Sequence, residues 1–438
     1  MPICTQTIFP FSSLKRRKVE VDFDGGSVSS NGGLLLLGEI EKKLRLSHKI
    51  ASILPDSRDP LRITHTQQSM ILQRMMGLCA AHEDLNDHDE LCHDMLMQTI
   101  VGSSEPLASS PTLCRMEAGS QRRAMFEMQK LFVELFIQKH KQPPKEIILD
   151  FDATDDPTHG KQKGTFFHGY YKCYCYLPLY VFCGSDPLLA LLRPSNKDGA
   201  RGTLPVLQYL VNRLREQWGQ DLPITFRGDT GFMRKRVLSW CEENQVNYIV
   251  GYAHHIGIKE VTEAFRSKVK LDYERTSEDQ RQFMELGYRS DKELTFRKII
   301  VKVEYTHRGE NTRCIVTNLA GEPQELYDDV YCGRGDMENR IKEQQLGLFA
   351  DRTSTSHWWS NQLRLLMSTF AYILIDRLRT EALEGTEWVK KQCSTLQVKL
   401  IKIGAVITRN TRRIRIHLSS SYPHREIFAH AYGRIMSG

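Results

Sequence analysis

What this chain lacks narrows it first. No stretch approaches the roughly 18 apolar residues of a membrane-spanning helix, and Leu34–Leu37 is far too short, so no membrane partner is expected. No secretory leader opens it, because Met1-Pro-Ile-Cys is soon followed by Lys15-Arg16-Arg17-Lys18 and by acidic residues. The 11 cysteines follow no regular framework, so reduced thiols in a cytoplasmic protein are the expectation. There is no internal repeat and no low-complexity segment, which removes solenoid and fibrous classes. His82–His93 contains metal-ligand residue types, but no second Cys/His pair stands at finger spacing, so no zinc site is expected.

What is present is ordinary for a folded protein of two or three domains: 438 residues, 40% hydrophobic and 26% charged. The net charge of +7 is a mild excess, and its clustering matters more than its size. Basic runs stand at Lys15–Lys18, Arg234-Lys235-Arg236, Lys390-Lys391, and Arg409 with Arg412, Arg413 and Arg415. Such runs bind anionic partners or simply face solvent.

The chain divides by pattern. Val19, Val21 and Phe23 alternate with acids and predict a half-buried strand closed by Gly25-Gly26. Helical patterns then dominate to the Pro143-Pro144 break, including Gln121–His140, and give a mostly helical region 1–142. Strands follow at 147–152, 170–183, 188–192, 224–227 and 248–252, with helices at 204–218 and 232–243. That alternation predicts an α/β core with a mixed sheet, its first part at 143–253. Residues 254–330, with a helix near 261–268 and strands at 294–305 and 313–318, read as a β-rich insertion. The core resumes over 331–385 with a long helix from Trp358, and a basic region closes the chain at 386–438.

Two apolar runs end in aspartate: Ile147-Ile-Leu-Asp150-Phe-Asp152-Ala-Thr154 and Ile224-Thr-Phe-Arg227-Gly-Asp229. Far downstream, Tyr331-Cys-Gly-Arg334-Gly-Asp-Met-Glu338 opens a helix. Two strand-end aspartates and one helix glutamate are hard oxygen donors of the kind Mg²⁺ prefers. Such a set can hold two ions against a phosphodiester, which is the chemistry of nucleic-acid cleavage and strand transfer.

These acids, in this order, resemble those of the DDE transposases of bacterial insertion sequences. The words Asp152-Ala-Thr-Asp-Asp-Pro-Thr-His159-Gly, Phe166-Phe-His168-Gly-Tyr-Tyr171, Arg193-Pro-Ser-Asn and Arg227-Gly-Asp229-Thr-Gly-Phe are similar to those of insertion-sequence family thirteen-eighty, in the IS-four-like group. The likeness runs from Val21-Asp-Phe-Asp-Gly-Gly to Tyr422-Pro-His-Arg-Glu. It implies a ribonuclease-H-like mixed-sheet core, two Mg²⁺ (or Mn²⁺) ions as cofactor, and double-stranded DNA, both transposon ends and target, as substrate. It further implies a homodimer on DNA, a bacterial nucleoid-associated location, and end recognition by the N-terminal region. By motif, Asp152, Asp229 and Glu338 are the catalytic and metal-binding acids. Tyr331, Arg334, Lys342, Arg227, His159 and His168 are the candidate DNA- or phosphate-binding residues. The family's motif lysine falls at Gln345 here, with Lys342 one helical turn from Glu338 as a substitute.

Several alternatives stay open. Asp150 lies two residues before Asp152 on the same strand face and competes for the first position; the Thr at +2 favours Asp152. Glu343 is about 140° around the helix from Glu338, so both cannot serve one site. Read singly, Asp152 and Asp229 are turn residues and Glu338 is half of a surface salt bridge with Lys342. Trp358-Trp359 either stacks a base or anchors a helix start. A repurposed DNA-binding relative without catalysis, or a nuclease without strand transfer, would carry much the same words.

Overall fold

The computed structural model describes residues 8–253, 256–288 and 296–437. Its strands, in chain order, are β1 (Phe9–Leu14), β2 (Arg17–Val21), β3 (Ser27–Ser29), β4 (Ile147–Ala153), β5 (Asp156–Pro157), β6 (Phe166–His168), β7 (Cys173–Tyr176), β8 (Leu179–Cys183), β9 (Asp186–Leu191), β10 (Ile224–Gly228), β11 (Asn247–Tyr252), β12 (Gln280–Tyr288), β13 (Arg297–Thr306), β14 (Gly309–Thr317), β15 (Ala405–Asn410) and β16 (Arg413–Leu418). The chain forms two compact units, Ser120–Thr369 and Met1–Gly119 with Phe370–Gly438.

The larger unit is built on a mixed sheet in the order β12-β13-β14-β11-β10-β4-β8-β9. Strands β4, β10 and β11 run parallel, while β8, β9 and β14 pair antiparallel with their neighbours. Alternation along β4 sets the two faces. Ile147, Leu149 and Phe151 enter the main core, where Phe151 meets Phe226 at 5.0 Å between ring centroids. Asp150 and Asp152 fall on the opposite face. Ile249, Ile300, Ile315, Leu326 and Tyr327 make a second, smaller cluster.

The main core is covered by the helices Arg122–Lys139, Thr203–Trp218, Lys235–Glu243 and Ile256–Thr276. The first of these was expected to belong with the N-terminal helices. Its stripe of Val133, Phe136 and Ile137 instead packs into the sheet's core. The stretch 170–183, read as one strand, is two. Leu177-Pro178 separates β8, in the large sheet, from β7, which joins a small sheet ordered β5-β7-β6. The region 254–330 is not a detached insert. It holds one strand more than its pattern suggested, β12, and β12, β13 and β14 extend the main sheet through β14's pairing with β11.

In the smaller unit, helices such as Leu34–Leu44, Gln67–Cys79 and Met95–Val101 accompany a three-stranded sheet ordered β16-β15-β3. The predicted half-buried strand around Val19 is β2, and it is exposed on both faces. Among the described residues it pairs with β1 alone, and Phe11 and Val21 are 61% and 43% exposed. His88 is buried with its Nδ1 3.1 Å from Gln73 Nε2, and its ring lies against Gly77.

Candidate active site

The parallel register of β4 and β10 pairs Gly228 with Phe151, so Asp229, just past the end of β10, comes beside Asp152, which β4 still pairs with Tyr180 of β8. Asp229 turns at once. Its Oδ1 accepts the backbone N–H of Gly231 at 2.8 Å and caps the short 3-10 turn Thr230–Phe232. The turn role read for it in isolation is therefore real, and it fixes the carboxylate's direction while leaving the other oxygen available. Glu338 stands in the first turn of the helix Gly335–Leu348, immediately after Arg334.

Arg334 links the elements. One of its terminal nitrogens lies 2.6 Å from Glu338 Oε1 and the other 3.7 Å from Asp152 Oδ1. Burial lifts the Asp152 carboxyl, Arg334 draws it down, and the negative charges of Asp229 and Glu338 push it up again, to about 6. The three expected acids thus share one electrostatic site around one guanidinium. Tyr331 joins it, since its hydroxyl would meet a Cβ added at Gly251 at 2.8 Å. Burial raises the Tyr331 phenol, Arg334 opposes that, and Asp229 adds to it.

The other expected site residues separate. Arg227 does not offer its guanidinium to a phosphate. It is 7% exposed, donates to both oxygens of Asp150, one at 2.7 Å, and donates to the carbonyl of Val330. The same pairing occupies both carboxylate oxygens of Asp150. Glu343 is 7% exposed and 3.4 Å from Arg340, away from the Glu338 stripe. Lys342 is exposed, and the expected Glu338–Lys342 pair is replaced by Glu338–Arg334. Gln345, at the motif lysine's position, donates from Nε2 to the Asp155 carbonyl at 3.0 Å and ties the helix to the loop after β4. His159 is exposed, and His168 lies against the Tyr171 ring at 4.9 Å. Trp358 packs on Tyr176 at 5.3 Å and against Gly164, which is the anchoring role for a helix start.

Residues 11–437 match the family model described as transposase DDE domain group 1. The chain belongs to that family. No curated protein matches the sequence. Among solved structures, the chain is similar to a piggyBac transposase in a synaptic complex with hairpin DNA, at 12% identity and a TM-score of 0.46, over 84% of this chain and 79% of that one.

Membership of this transposase family implies a divalent metal ion. The donor chemistry of Asp152, Asp229 and Glu338 fits a hard cation, with carboxylate oxygens and neither Cys nor His. Burial, with the negative charges of Asp229 and Glu338 added to it, lifts Asp152 to about 6, so added positive charge at this point is stabilising. As arranged, no group of three or more ligands among the described residues stands close enough together to hold an ion. No helix among them is long and apolar enough to cross a membrane.

Two features of the transposase site had no prior signal as site residues. Tyr171 donates its hydroxyl to the Ala153 carbonyl at 3.2 Å, and burial raises its phenol, helped by Asp155, Asp152 and Asp229. The other is Gly251. A Cβ there would stand 2.6 Å from the Thr230 nitrogen, so β11 must be bare at that point for the Asp229 turn to close over it. Tyr171 lies inside a family word but not at a motif position, and Gly251 looks like any strand glycine.

Proposed function

We propose that this chain is the transposase of an insertion sequence of family thirteen-eighty, cutting and joining double-stranded DNA on a ribonuclease-H-like core. Its mixed sheet, with two antiparallel strands beside three parallel ones in the order β9-β8-β4-β10-β11, supports that core. The single observation that carries the reading is Arg334, reaching both the strand-end Asp152 and the helix Glu338 while Asp229 presses on the same carboxyl.

In this reading Asp152, Asp229 and Glu338 are the residues that would hold two Mg²⁺ or Mn²⁺ ions. Ions bound there supply Lewis-acid stabilisation of the attacking and leaving oxygens. The chain's own contribution is position and charge. The Gly231 N–H holds the Asp229 carboxylate at a fixed angle. Arg334 neutralises the acids and offers the forked donor geometry that suits a phosphate oxygen pair. Tyr331 places a hydroxyl beside the Asp229 turn. The backbone carbonyl of Ala153, held by Tyr171, keeps the end of β4 in place. Hydrolysis frees a 3′-hydroxyl, and the same site then directs it at target DNA. Joining two element ends calls for two copies of the chain.

The test is a labelled duplex carrying the element's terminal inverted repeat, incubated with the protein and Mg²⁺. Nicking at the repeat boundary and strand-transfer products are expected. Asp152→Asn, Asp229→Asn or Glu338→Gln abolishes both while retaining duplex binding. Cuts without joined DNA would reduce the protein to a nuclease, and cutting that survives the three substitutions removes the site altogether.

A further inference from the structure

Two basic runs lie outside the candidate active site, at opposite ends of the sequence, and both belong to the smaller unit. The first is the turn of the β1–β2 hairpin, where Leu14 pairs with Arg17 around Lys15 and Arg16, and Lys18 follows. The second is the turn of the β15–β16 hairpin, closed by Asn410 opposite Arg413. There the Asn410 side chain accepts the backbone N–H groups of Arg412 at 3.0 Å and Arg413 at 2.9 Å.

Strand β3 couples the two. It lies antiparallel to β15, with Ser27 opposite Ile407 and Ser29 opposite Ala405. The chain therefore enters β3 at the end of the sheet where β15 runs out to its turn. Only Asp22–Gly26 connects β2 to β3, a tether of at most about 22 Å. The base of the first hairpin is thus tethered to the end of the sheet from which the β15–β16 turn projects.

The alternation of β16 puts Arg413, Arg415 and His417 on the face opposite the buried Ala405 and Ile407. Lys15, Arg16, Arg17, Lys18, Arg412, Arg413 and Arg415 are all exposed, and none has a carboxylate partner among the described residues. The acids Glu20, Asp22 and Asp24 lie toward the base of the first hairpin, away from its turn. Unpaired cations on paired ribbon ends match a ligand carrying a dense row of negative charge. Duplex DNA has one charge per ~1.7 Å, and its major groove admits a two-stranded ribbon.

We propose that the two basic hairpins, β1–β2 and β15–β16, are the elements by which the smaller unit grips duplex DNA through its phosphates. The inference rests on the transposase reading above. It places the grip on strands near both ends of the sequence rather than on the N-terminal helices.

The test is fluorescence anisotropy of the full chain on a labelled duplex across a salt series. Two variants are compared with wild type: Lys15→Gln/Arg16→Gln/Arg17→Gln/Lys18→Gln, and Arg412→Gln/Arg413→Gln/Arg415→Gln. Each lost phosphate contact lowers the slope of log affinity against log salt by ~0.9. If all four side chains of the first set contact phosphate, the slope falls by ~3.6. The wild-type drop in affinity between ~50 and ~200 mM salt then shrinks roughly 100-fold. Wild-type protein gives a second readout free of any folding effect: bound duplex protects Lys15 and Lys18 from amine acetylation, read by mass spectrometry. Unchanged slopes in both variants, or lysines that stay reactive on DNA, overturn the inference while wild-type binding and nicking leave the transposase reading standing. A wild-type chain that binds no duplex overturns both.

Discussion

Arg227 and Asp150 face each other in register on adjacent parallel strands, and the guanidinium of one engages both oxygens of the other. Removing one partner leaves a buried charge alone. Arg227→Met is expected to destabilise the chain by ~3–5 kcal/mol. The double substitution Arg227→Met/Asp150→Leu, which removes both charges, recovers most of that. Urea unfolding of the two variants checks this, and equal losses would mean that the pair contributes nothing as a pair.

Asp152 gives a pH dependence of stability. Its carboxyl stands at about 6 in the fold, against an ordinary value of 3.8. Between those values the folded chain holds a proton that the unfolded chain has lost, so stability falls as pH rises through the window. The full penalty, on the order of 3 kcal/mol, is present above pH 6 and absent below about 3.8. Asp152→Asn is therefore expected to melt higher than wild type at pH 7.5 while losing nicking. The gap should close on acidification toward pH 4. A variant that melts no higher at pH 7.5 would show that burial and the neighbouring acids do not raise the Asp152 carboxyl in the fold.

Gly251→Ala forces a methyl group against the Thr230 backbone nitrogen at 2.6 Å and the Tyr331 hydroxyl at 2.8 Å. The turn carrying Asp229 must shift. A loss of ~1–3 kcal/mol and a marked fall in nicking are expected. Gly404→Ala, which meets nothing within 4 Å, is the control and should leave thermal stability near wild type. Full activity in Gly251→Ala would detach Asp229 from the site.

The two glutamates of the helix Gly335–Leu348 should part company. Glu338→Gln is expected to abolish nicking with little effect on folding, since Glu338 is 40% exposed at its side chain. Glu343→Gln should retain nicking and lower stability by ~1–3 kcal/mol, because that side chain is 5% exposed and paired with Arg340. Parallel nicking and melting measurements on both variants decide it, and the reverse pattern would move the third acid to Glu343.

Much of the larger unit was legible because its signals are local. Strand β4 ends one residue beyond its predicted limit, and the helix Thr203–Trp218 begins one residue early. Short apolar runs and amphipathic stripes are sufficient for that. Strand β12 was missed because Gln280-Arg-Gln-Phe-Met-Glu has little apolar alternation; its backbone is held by β13, from Gln280 opposite Tyr305 onward. The helix Arg122–Lys139 was placed with the wrong neighbours for a related reason, since an amphipathic stripe shows that a helix has a buried face but not what covers it.

By itself the sequence determined the order of the acids, the strands that carry or precede two of them, and the likeness to DDE transposases that the family model bears out. These are properties of neighbours along the chain. Only the tertiary structure set Asp150 against Arg227, 77 residues away on another strand, and Asp152 near Arg334. It likewise decided that Arg334, not Lys342, answers Glu338, and that β3 from near the start of the sequence pairs with β15 from near its end. Periodicity fixes which way a side chain points, while register and packing between distant segments fix what it meets.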